Sequence, residues 1–173
     1  LPNFGGIADG STDNKLNLEA IAARVGRLYV ANLFLPYLVS TFAVPRNFTL
    51  YGDSQFGNYD NEVTADGMTF IGDGVNPAFT MGDGVDSTKR RQSSTGLRVY
   101  NDGAPCLKVD NAPEGKMKNC LMRSENITDT NSGCVVARFS FRAKVKDNSL
   151  SCAGGGWAVT AMNNMNGFEL TGN

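Results

Sequence analysis

The chain has 173 residues, of which 41% are hydrophobic and 20 are glycine, so it is long enough to enclose a core and its composition argues against disorder. A net charge of −1 gives no whole-chain reason to expect nucleic acid or a membrane as partner, and no apolar run approaches the roughly 18 residues of a membrane span. Histidine is absent, which excludes histidine triads and histidine metal sites in this segment. We predict no metal and no other cofactor.

A polar turn and a short helix are predicted first. Residues 8–14 are rich in Asp, Gly, Ser and Thr, which is typical of turns. Apolar residues then recur at the spacing of one helical face at Leu18, Ile21, Ala22 and Val25. With Asn17 as N-cap and Gly26 just past the C-terminus, we expect a helix of about eight residues. A helix this short must dock its apolar face to be stable.

Three β-rich runs follow, at residues 27–30, 34–40 and 47–53. Pro36 interrupts the second run, which therefore predicts a bent or edge strand. Five pieces of the first 55 residues stand in a fixed order: FGGIADGSTDN at 4–14, AI at 20–21, Gly26, LPYLVS at 35–40 and PRNFTLYG at 45–52. Together they resemble the N-terminal region of the pectate-lyase-like superfamily, especially phage tailspike depolymerases. The family's LPxGxYxV motif lacks its turn glycine in LPYLVS, so that bend must be made differently here.

Two alternating series of short apolar segments follow the resembling region. The first starts at Phe48, Met68, Leu97, Met117, Val145 and Phe168, and the second starts at Phe79, Leu107, Val135 and Ala158. Strict alternation is what a coil produces when each turn gives one strand to each of several sheets, because stacked turns bury what one turn cannot. An antiparallel sandwich or jelly roll is the alternative, but it explains neither the shared order nor the helix.

The predicted fold is therefore all-β: a right-handed single-stranded parallel β-helix with a short N-terminal capping helix. We divide it into residues 1–55, holding the opening motif, the capping helix and the first strands, and residues 56–173, holding the β-helix rungs. The chain ends without a closing cap, so we expect the protein to continue beyond residue 173.

The four cysteines are interpreted as buried free thiols. They are Cys106, Cys120, Cys134 and Cys152, and none forms a Cys-x-x-Cys pair, which disfavours a zinc ribbon. Three disulfide pairings are possible, but cysteine packs readily as a small hydrophobe. Trp157 lies one step beyond Cys106 and Cys134 in the second series, which favours a core position over sugar stacking.

Candidate binding residues follow from the stepping of the first series. It places Arg98, Lys118, Lys146 and Glu169 at equivalent outward positions, and it puts Lys116 and Lys144 one rung apart. Stacked like charges are unfavourable unless something neutralises them. One hypothesis is a positive stripe in which Arg98, Lys118 and Lys146 hold an anionic sugar chain. The alternative is a solvated face, or salt bridges across a trimer contact. Lys89, Arg90 and Arg91 could bind phosphate or an acidic sugar, although a short basic run in a loop is usually only solvated. Tyr59 and Tyr100 could stack on sugar rings.

Glycoside hydrolysis requires two carboxylates, about 5–9.5 Å apart depending on stereochemistry. Residues one or two rungs apart on one face of a β-helix meet that distance, and Asp110, Asp147 and Glu169 are the candidates. Nothing in the sequence selects a pair, and no catalytic motif of the family is matched. Elimination by a lyase instead needs a base and often a cation, which Lys or Arg could supply.

The resemblance implies a phage tailspike, a receptor-binding protein of the virion tail that is made in the host cytoplasm and acts outside the cell. Such a protein is expected to be a homotrimer, to contact other phage tail proteins, and to bind and depolymerise host cell-surface polysaccharide. Neither nucleic acid nor membrane insertion is expected. Two alternatives remain open: a non-enzymatic β-helix adhesin or structural tail component, and a secreted pectinase-like enzyme.

Overall fold

The computed structural model describes residues 4–31, 35–52, 68–82, 91–139, 142–162 and 167–172. These residues form one helix and sixteen short strands. In chain order they are α1 (Lys15–Ala22), β1 (Arg27–Val30), β2 (Tyr37–Val39), β3 (Phe42–Val44), β4 (Thr49–Gly52), β5 (Phe70–Gly72), β6 (Phe79–Met81), β7 (Ser93–Thr95), β8 (Arg98–Asp102), β9 (Leu107–Asp110), β10 (Lys116–Lys118), β11 (Leu121–Ile127), β12 (Gly133–Arg138), β13 (Lys144–Lys146), β14 (Ser149–Gly154), β15 (Trp157–Met162) and β16 (Glu169–Thr171).

Each strand from β1 to β13 pairs in parallel with the strand three places later in the chain. This pairing generates three sheets: sheet I has the order β1-β4-β7-β10-β13-β16, sheet II the order β2-β5-β8-β11-β14, and sheet III the order β3-β6-β9-β12-β15. One turn of the chain therefore passes through sheets I, II and III in succession. The predicted parallel β-helix is confirmed, and the antiparallel alternative is wrong.

Inward side chains of successive turns stack into a common core. In sheet I the inward positions in register are Leu28, Leu50, Ser94, Met117 and Val145, and all five are buried. Since strand side chains alternate between the two faces, their neighbours in each strand point outward. Burying each large apolar side chain contributes about 1.5–3 kcal/mol.

Aromatic rings fill the first two turns of the core. Phe79 makes edge-to-face contacts with Phe42 and Phe70, with ring centroids 6.3 and 5.1 Å apart, and Tyr37 lies 5.9 Å from Phe70. Such pairs add about 0.5–1.5 kcal/mol each beyond their buried area. The helix α1 covers this end through its buried residues Leu18 and Ile21, as the amphipathic pattern predicted.

The predicted helix caps are wrong. The helix begins at Lys15 rather than after Asn17, and it ends at Ala22, four residues before Gly26. Asn14 lies at the N-cap position but makes no capping hydrogen bond. Its buried amide instead ties the preceding turn together, accepting from the Ile7 N–H at 2.8 Å and donating to the Ile7 carbonyl at 2.9 Å and to the Thr12 carbonyl at 2.7 Å.

The second predicted series is confirmed, because β6, β9, β12 and β15 all belong to sheet III. Only its last member is displaced, since Val159 rather than Ala158 lies in register with Val135. The first series is wrong as a single column. Its members at 48, 117, 145 and 168 adjoin strands of sheet I, whereas those at 68 and 97 adjoin strands of sheet II.

Two-residue corners connect sheet I to sheet II. Gly96, Asn119 and Asp147 each follow a strand of sheet I with φ of 64°, 53° and 53°. Gly adopts this left-handed conformation without strain, and Asn and Asp tolerate it better than other residues. Asn119 and Asp147 are therefore turn residues.

All four cysteines are free, as predicted, and three of them are buried; Cys152 is only partly buried, so the prediction of burial is wrong for it. Burial raises the pKa of the Cys120 thiol to about 12 and also raises the pKa of Cys134. The predicted core position of Trp157 is wrong, because it lies in register with Gly133 rather than Cys134 and is 64% exposed. A shift of one residue moves a side chain to the opposite face of a strand.

None of the described helical residues forms a helix long and apolar enough to cross a membrane. The predicted boundary at residue 55 lies outside the described residues and stays a prediction.

Candidate functional site

The outer face of sheet I carries two columns of side chains in parallel register. The first column is Arg27, Thr49, Ser93, Lys116, Lys144 and Glu169. The second column is Tyr29, Tyr51, Thr95, Lys118, Lys146 and Thr171. Neighbouring members of a column are one strand spacing apart, about 4.8 Å. The face is therefore a regular lattice of side chains, and the types of side chain change along the axis of the β-helix.

Four lysines form a square at one end of this lattice. Lys116 and Lys118 on β10 lie directly beside Lys144 and Lys146 on β13. Lys144 Nζ contacts Glu169 Oε2 at 2.5 Å, and Lys118 Nζ lies 3.9 Å from Asp147 Oδ2. In the described part of the chain, Lys116 and Lys146 form no ion pair. Because adjacent like charges repel, the square favours an anionic ligand.

Hydroxyl and aromatic groups occupy the other end of the lattice. Ser93 and Thr95 on β7 separate the lysines from the first two turns. Tyr29 and Tyr51 lie side by side with ring centroids 5.5 Å apart and an interplanar angle of 49°. This end presents ring faces and hydroxyls, which are suited to uncharged groups.

Two cavities lie along this face. One, of about 570 Å³, is lined by Thr49, Arg91, Gln92, Ser93, Glu114, Lys116, Arg142 and Lys144. The other, of about 590 Å³, is lined by Gly26, Arg27, Asn47, Thr49, Tyr51 and Thr95. We call them the cationic cavity and the aromatic cavity. Because Thr49 lines both, the two cavities are neighbours on the outer face of sheet I.

Charged residues with left-handed backbone form the rim of the cationic cavity. Arg91, Glu114 and Arg142 each lie two residues before a strand of sheet I, with φ of 57°, 60° and 54°. The equivalent residues in other turns are Asn47 and Gly167, which adopt this conformation more readily. Non-glycine residues here carry about 1–3 kcal/mol of strain each, and such strain clusters at functional sites.

The structure brings together only some of the predicted binding residues. Lys118 and Lys146 are in register, as expected. The expected equivalence of Arg98 is wrong, because Arg98 lies on β8 in sheet II opposite Leu121. Glu169 lies opposite Lys144 rather than Lys146. Whether these residues bind a sugar stays a prediction, and Tyr59, Lys89 and Arg90 lie outside the described residues.

The three predicted catalytic acids do not form a pair. Asp110 ends β9 in sheet III and pairs with Lys108 at 3.0 Å. Asp147 is a corner residue, while Glu169 begins β16 and aligns with Lys144. Asp147 is thus three residues further along the strand direction than Glu169, roughly 10 Å. Their catalytic roles stay predictions that this arrangement does not favour.

A different pair of acids lies on the outer face of sheet II. Asp102 on β8 and Glu125 on β11 are directly in register, which places their backbones about 4.8 Å apart. The Tyr100 hydroxyl donates to Glu125 Oε2 at 2.9 Å, and Arg123 forms an ion pair with Glu125. Asn126 donates to Asp102 Oδ1 at 2.8 Å. The sequence did not reveal this acid pair, because β11 was not recognised as a strand.

The environment of the acid pair keeps Glu125 ionised. The hydrogen bond from Tyr100 and the contact with Arg123 lower the pKa of Glu125. Burial, the hydrogen bond to Glu125 and the negative charges of Asp102 and Glu125 raise the pKa of Tyr100 to about 12. At neutral pH the cluster therefore holds a carboxylate beside a protonated phenol.

Replacing Tyr100 by phenylalanine is expected to raise the pKa of Glu125 toward its ordinary value, because the largest stabilising hydrogen bond to the carboxylate is lost. The pKa is measured from side-chain carboxyl chemical shifts during an NMR pH titration. Glu169 is an internal control, since its lowered pKa depends on Lys144 rather than on Tyr100. An unchanged Glu125 titration in Tyr100→Phe would contradict the hydrogen bond.

In comparisons with known proteins, no family model matches the chain and no curated protein matches it. Among solved structures, the chain is similar to a putative glycosyl hydrolase from Parabacteroides merdae, with a TM-score of 0.49 and 12% sequence identity. The similarity covers 98% of this chain and 92% of that one. It is too distant to bear on activity or substrate.

Proposed function

We propose that the protein binds an acidic polysaccharide along the outer face of sheet I. The observation that carries this proposal is the square of Lys116, Lys118, Lys144 and Lys146. An extended polymer that crosses β10 and β13 meets two pairs of ammonium groups, one pair on each strand, with the strands about 4.8 Å apart. Its carboxylate or sulfate groups relieve the repulsion between stacked lysines, which the described acids offset only in part.

A polysaccharide suits this face better than a nucleic acid. The chain as a whole has a net charge of −1, whereas nucleic-acid-binding domains are typically basic. The lysines also adjoin the hydroxyls of Thr49, Ser93 and Thr95, which can both donate hydrogen bonds to sugar hydroxyls and accept them.

The finer proposal is that the protein is a receptor-binding tailspike of a phage virion that acts on host surface polysaccharide as a homotrimer. Its support is the ordered resemblance of the first 55 residues. A non-enzymatic β-helix adhesin or structural tail component requires the same binding face without cleavage, and a secreted pectinase-like enzyme remains the third alternative.

Depolymerisation is a second candidate function, supported by the register of Asp102 and Glu125. Retaining glycosidases place two carboxyl groups about 5–5.5 Å apart, a separation that outward carboxylates on adjacent parallel strands readily reach. Glu125, held ionised by Tyr100 and Arg123, suits the nucleophile. In such a mechanism the second carboxyl group protonates the leaving oxygen, and Asp102 is the candidate for that group by its register with Glu125.

Binding is tested by isothermal titration calorimetry of the full chain with oligogalacturonate, with uncharged dextran and with single-stranded DNA. We expect oligogalacturonate to bind, dextran not to bind, and affinity to fall as salt rises, because exposed ion pairs are screened over a distance of about 10 Å at 0.1 M salt. Equal binding of dextran, or tighter binding of DNA, would overturn the proposal.

A further inference from the structure

We propose that the aromatic cavity is a subsite for an uncharged sugar residue, so that the ligand is a heteropolysaccharide with neutral residues next to acidic ones. This inference rests on the proposed polysaccharide binding and names the substrate class more narrowly. The argument starts from the contrast between the two cavities that share Thr49.

The two cavities differ in charge. The cationic cavity is lined by four cations, namely Arg91, Lys116, Arg142 and Lys144, and by one acid, Glu114, which lies 3.4 Å from Arg91. The described lining of the aromatic cavity has one cation, Arg27, and no acid. A uniformly charged polymer would match the first cavity but would meet a single cation in the second. A polymer that carries both charged and uncharged residues matches both.

The aromatic cavity has the groups that orient a sugar ring. Tyr51 lines it and packs against Tyr29, which is 44% exposed. An aromatic ring offers an apolar face for the C–H face of a sugar, while polar groups around it fix the orientation. The Asn47 amide and the hydroxyls of Thr49 and Thr95 are the polar groups within this cavity.

Asn47 lines the aromatic cavity from a left-handed backbone position. It has a φ of 56° and lies two residues before Thr49 on β4. Asparagine tolerates this conformation and glycine adopts it without strain, and glycine stands at the equivalent position 167. Replacing Asn47 by glycine therefore removes the amide while the backbone conformation stays accessible.

The lattice also fixes the direction and extent of the ligand. From Tyr29 on β1 to Lys144 on β13 there are four strand spacings, together about 19 Å. The uncharged residues lie over β1 and β4, and the acidic residues lie over β10 and β13. Oligosaccharides that are too short to span both cavities gain binding free energy from only one of them.

The experiment compares two polymers of matched length by titration calorimetry. Hyaluronan alternates uronate with an uncharged sugar, whereas oligogalacturonate carries a carboxylate on every residue. We expect Tyr29→Ala/Tyr51→Ala to weaken hyaluronan binding by about tenfold, the loss typical of one stacking contact. Oligogalacturonate binding should stay within roughly twofold of its original value. Trp157→Ala, which removes an exposed aromatic residue from sheet III, is the matched control.

Asn47→Gly is a second variant that suits the backbone and avoids any doubt about folding. This variant should also weaken the binding of hyaluronan more than the binding of oligogalacturonate. Equal losses for both polymers, or no loss for hyaluronan, would overturn the subsite. If oligogalacturonate binding then still depends on Lys116 and Lys144, the proposed function survives. If the native protein binds neither polymer, both proposals fail.

Discussion

Replacing Lys116, Lys118, Lys144 and Lys146 together with glutamine is expected to weaken binding of oligogalacturonate by about 100-fold at low ionic strength. Each exposed ion pair is worth about 0.2–1 kcal/mol, and about 1.4 kcal/mol corresponds to a factor of ten. The four lysines face one surface in register, so a single extended polyanion contacts all of them. The dissociation constant from titration calorimetry measures the effect.

The salt dependence of binding provides a second readout for the same variant. The native protein should lose affinity steeply as salt rises, because its contacts with the ligand are exposed charges. The variant should show a flatter dependence, since fewer ionic contacts remain. Removing Lys118 and Lys146 alone should give about half of the total loss on a logarithmic scale.

A matched control separates the lysine square from the net charge of the protein. Lys15→Gln/Arg24→Gln removes two positive charges from α1 and the residues that follow it, at the helical end of the molecule. This control should leave the affinity within roughly twofold, whereas Lys118→Gln/Lys146→Gln should not. If the two double variants lose affinity for oligogalacturonate equally, the outer face of sheet I is not the binding site. The folding of each variant is checked from its thermal unfolding.

Sequence reasoning succeeded where apolar residues alone mark the inward face. Sheet III was predicted because Phe79, Leu107 and Val135 are large, buried and evenly spaced. Their side chains point to the core in each turn, so the spacing of the sequence equals the spacing of the coil. The capping helix was predicted for the same reason, from Leu18 and Ile21.

Sheets I and II could not be separated by the same pattern. The strand β7 has the sequence Ser-Ser-Thr, so it carries no apolar signal, and its buried residue is Ser94. Its pairing with β4 and β10 supplies the backbone hydrogen bonds that place it. Because β7 was not recognised as a strand, the first series combined segments of sheet I with segments of sheet II. Arg98, which lies on sheet II, was therefore aligned with the lysines of sheet I.

The failure to separate sheets I and II affected the prediction of the lysine square and that of the acid pair differently. The lysines at 116, 118, 144 and 146 were aligned correctly, because β10 and β13 share the pattern Lys-Val/Met-Lys with a two-residue period. The acid pair depends on the register between β8 and β11, which begins after the corner at Asn119. A left-handed corner residue carries no hydrophobic signal, so Asp102 and Glu125 were not brought together until the strands were placed.

Glu125→Gln is expected to lower cleavage of a bound polysaccharide by about 10²–10⁴-fold, if the chain is a glycosidase that uses the acid pair. Glutamine keeps the shape of the side chain and can still accept from the Tyr100 hydroxyl, but it cannot form a covalent bond to the sugar or act as a base. Asp102→Asn should also abolish cleavage, because the leaving oxygen then receives no proton. Sizing of the polysaccharide after incubation with each variant measures the effect.

Both variants should retain binding, because the lysine square lies on sheet I and the acid pair lies on sheet II. Asp110→Asn is the matched control, since it removes one carboxylate that has no acidic partner in register and lies on sheet III. Cleavage that is lost in this control but kept in Glu125→Gln would move the active site away from sheet II. Native protein that binds the polymer without shortening it would instead favour the adhesin, and Glu125, Tyr100 and Arg123 would then serve to hold β8 against β11.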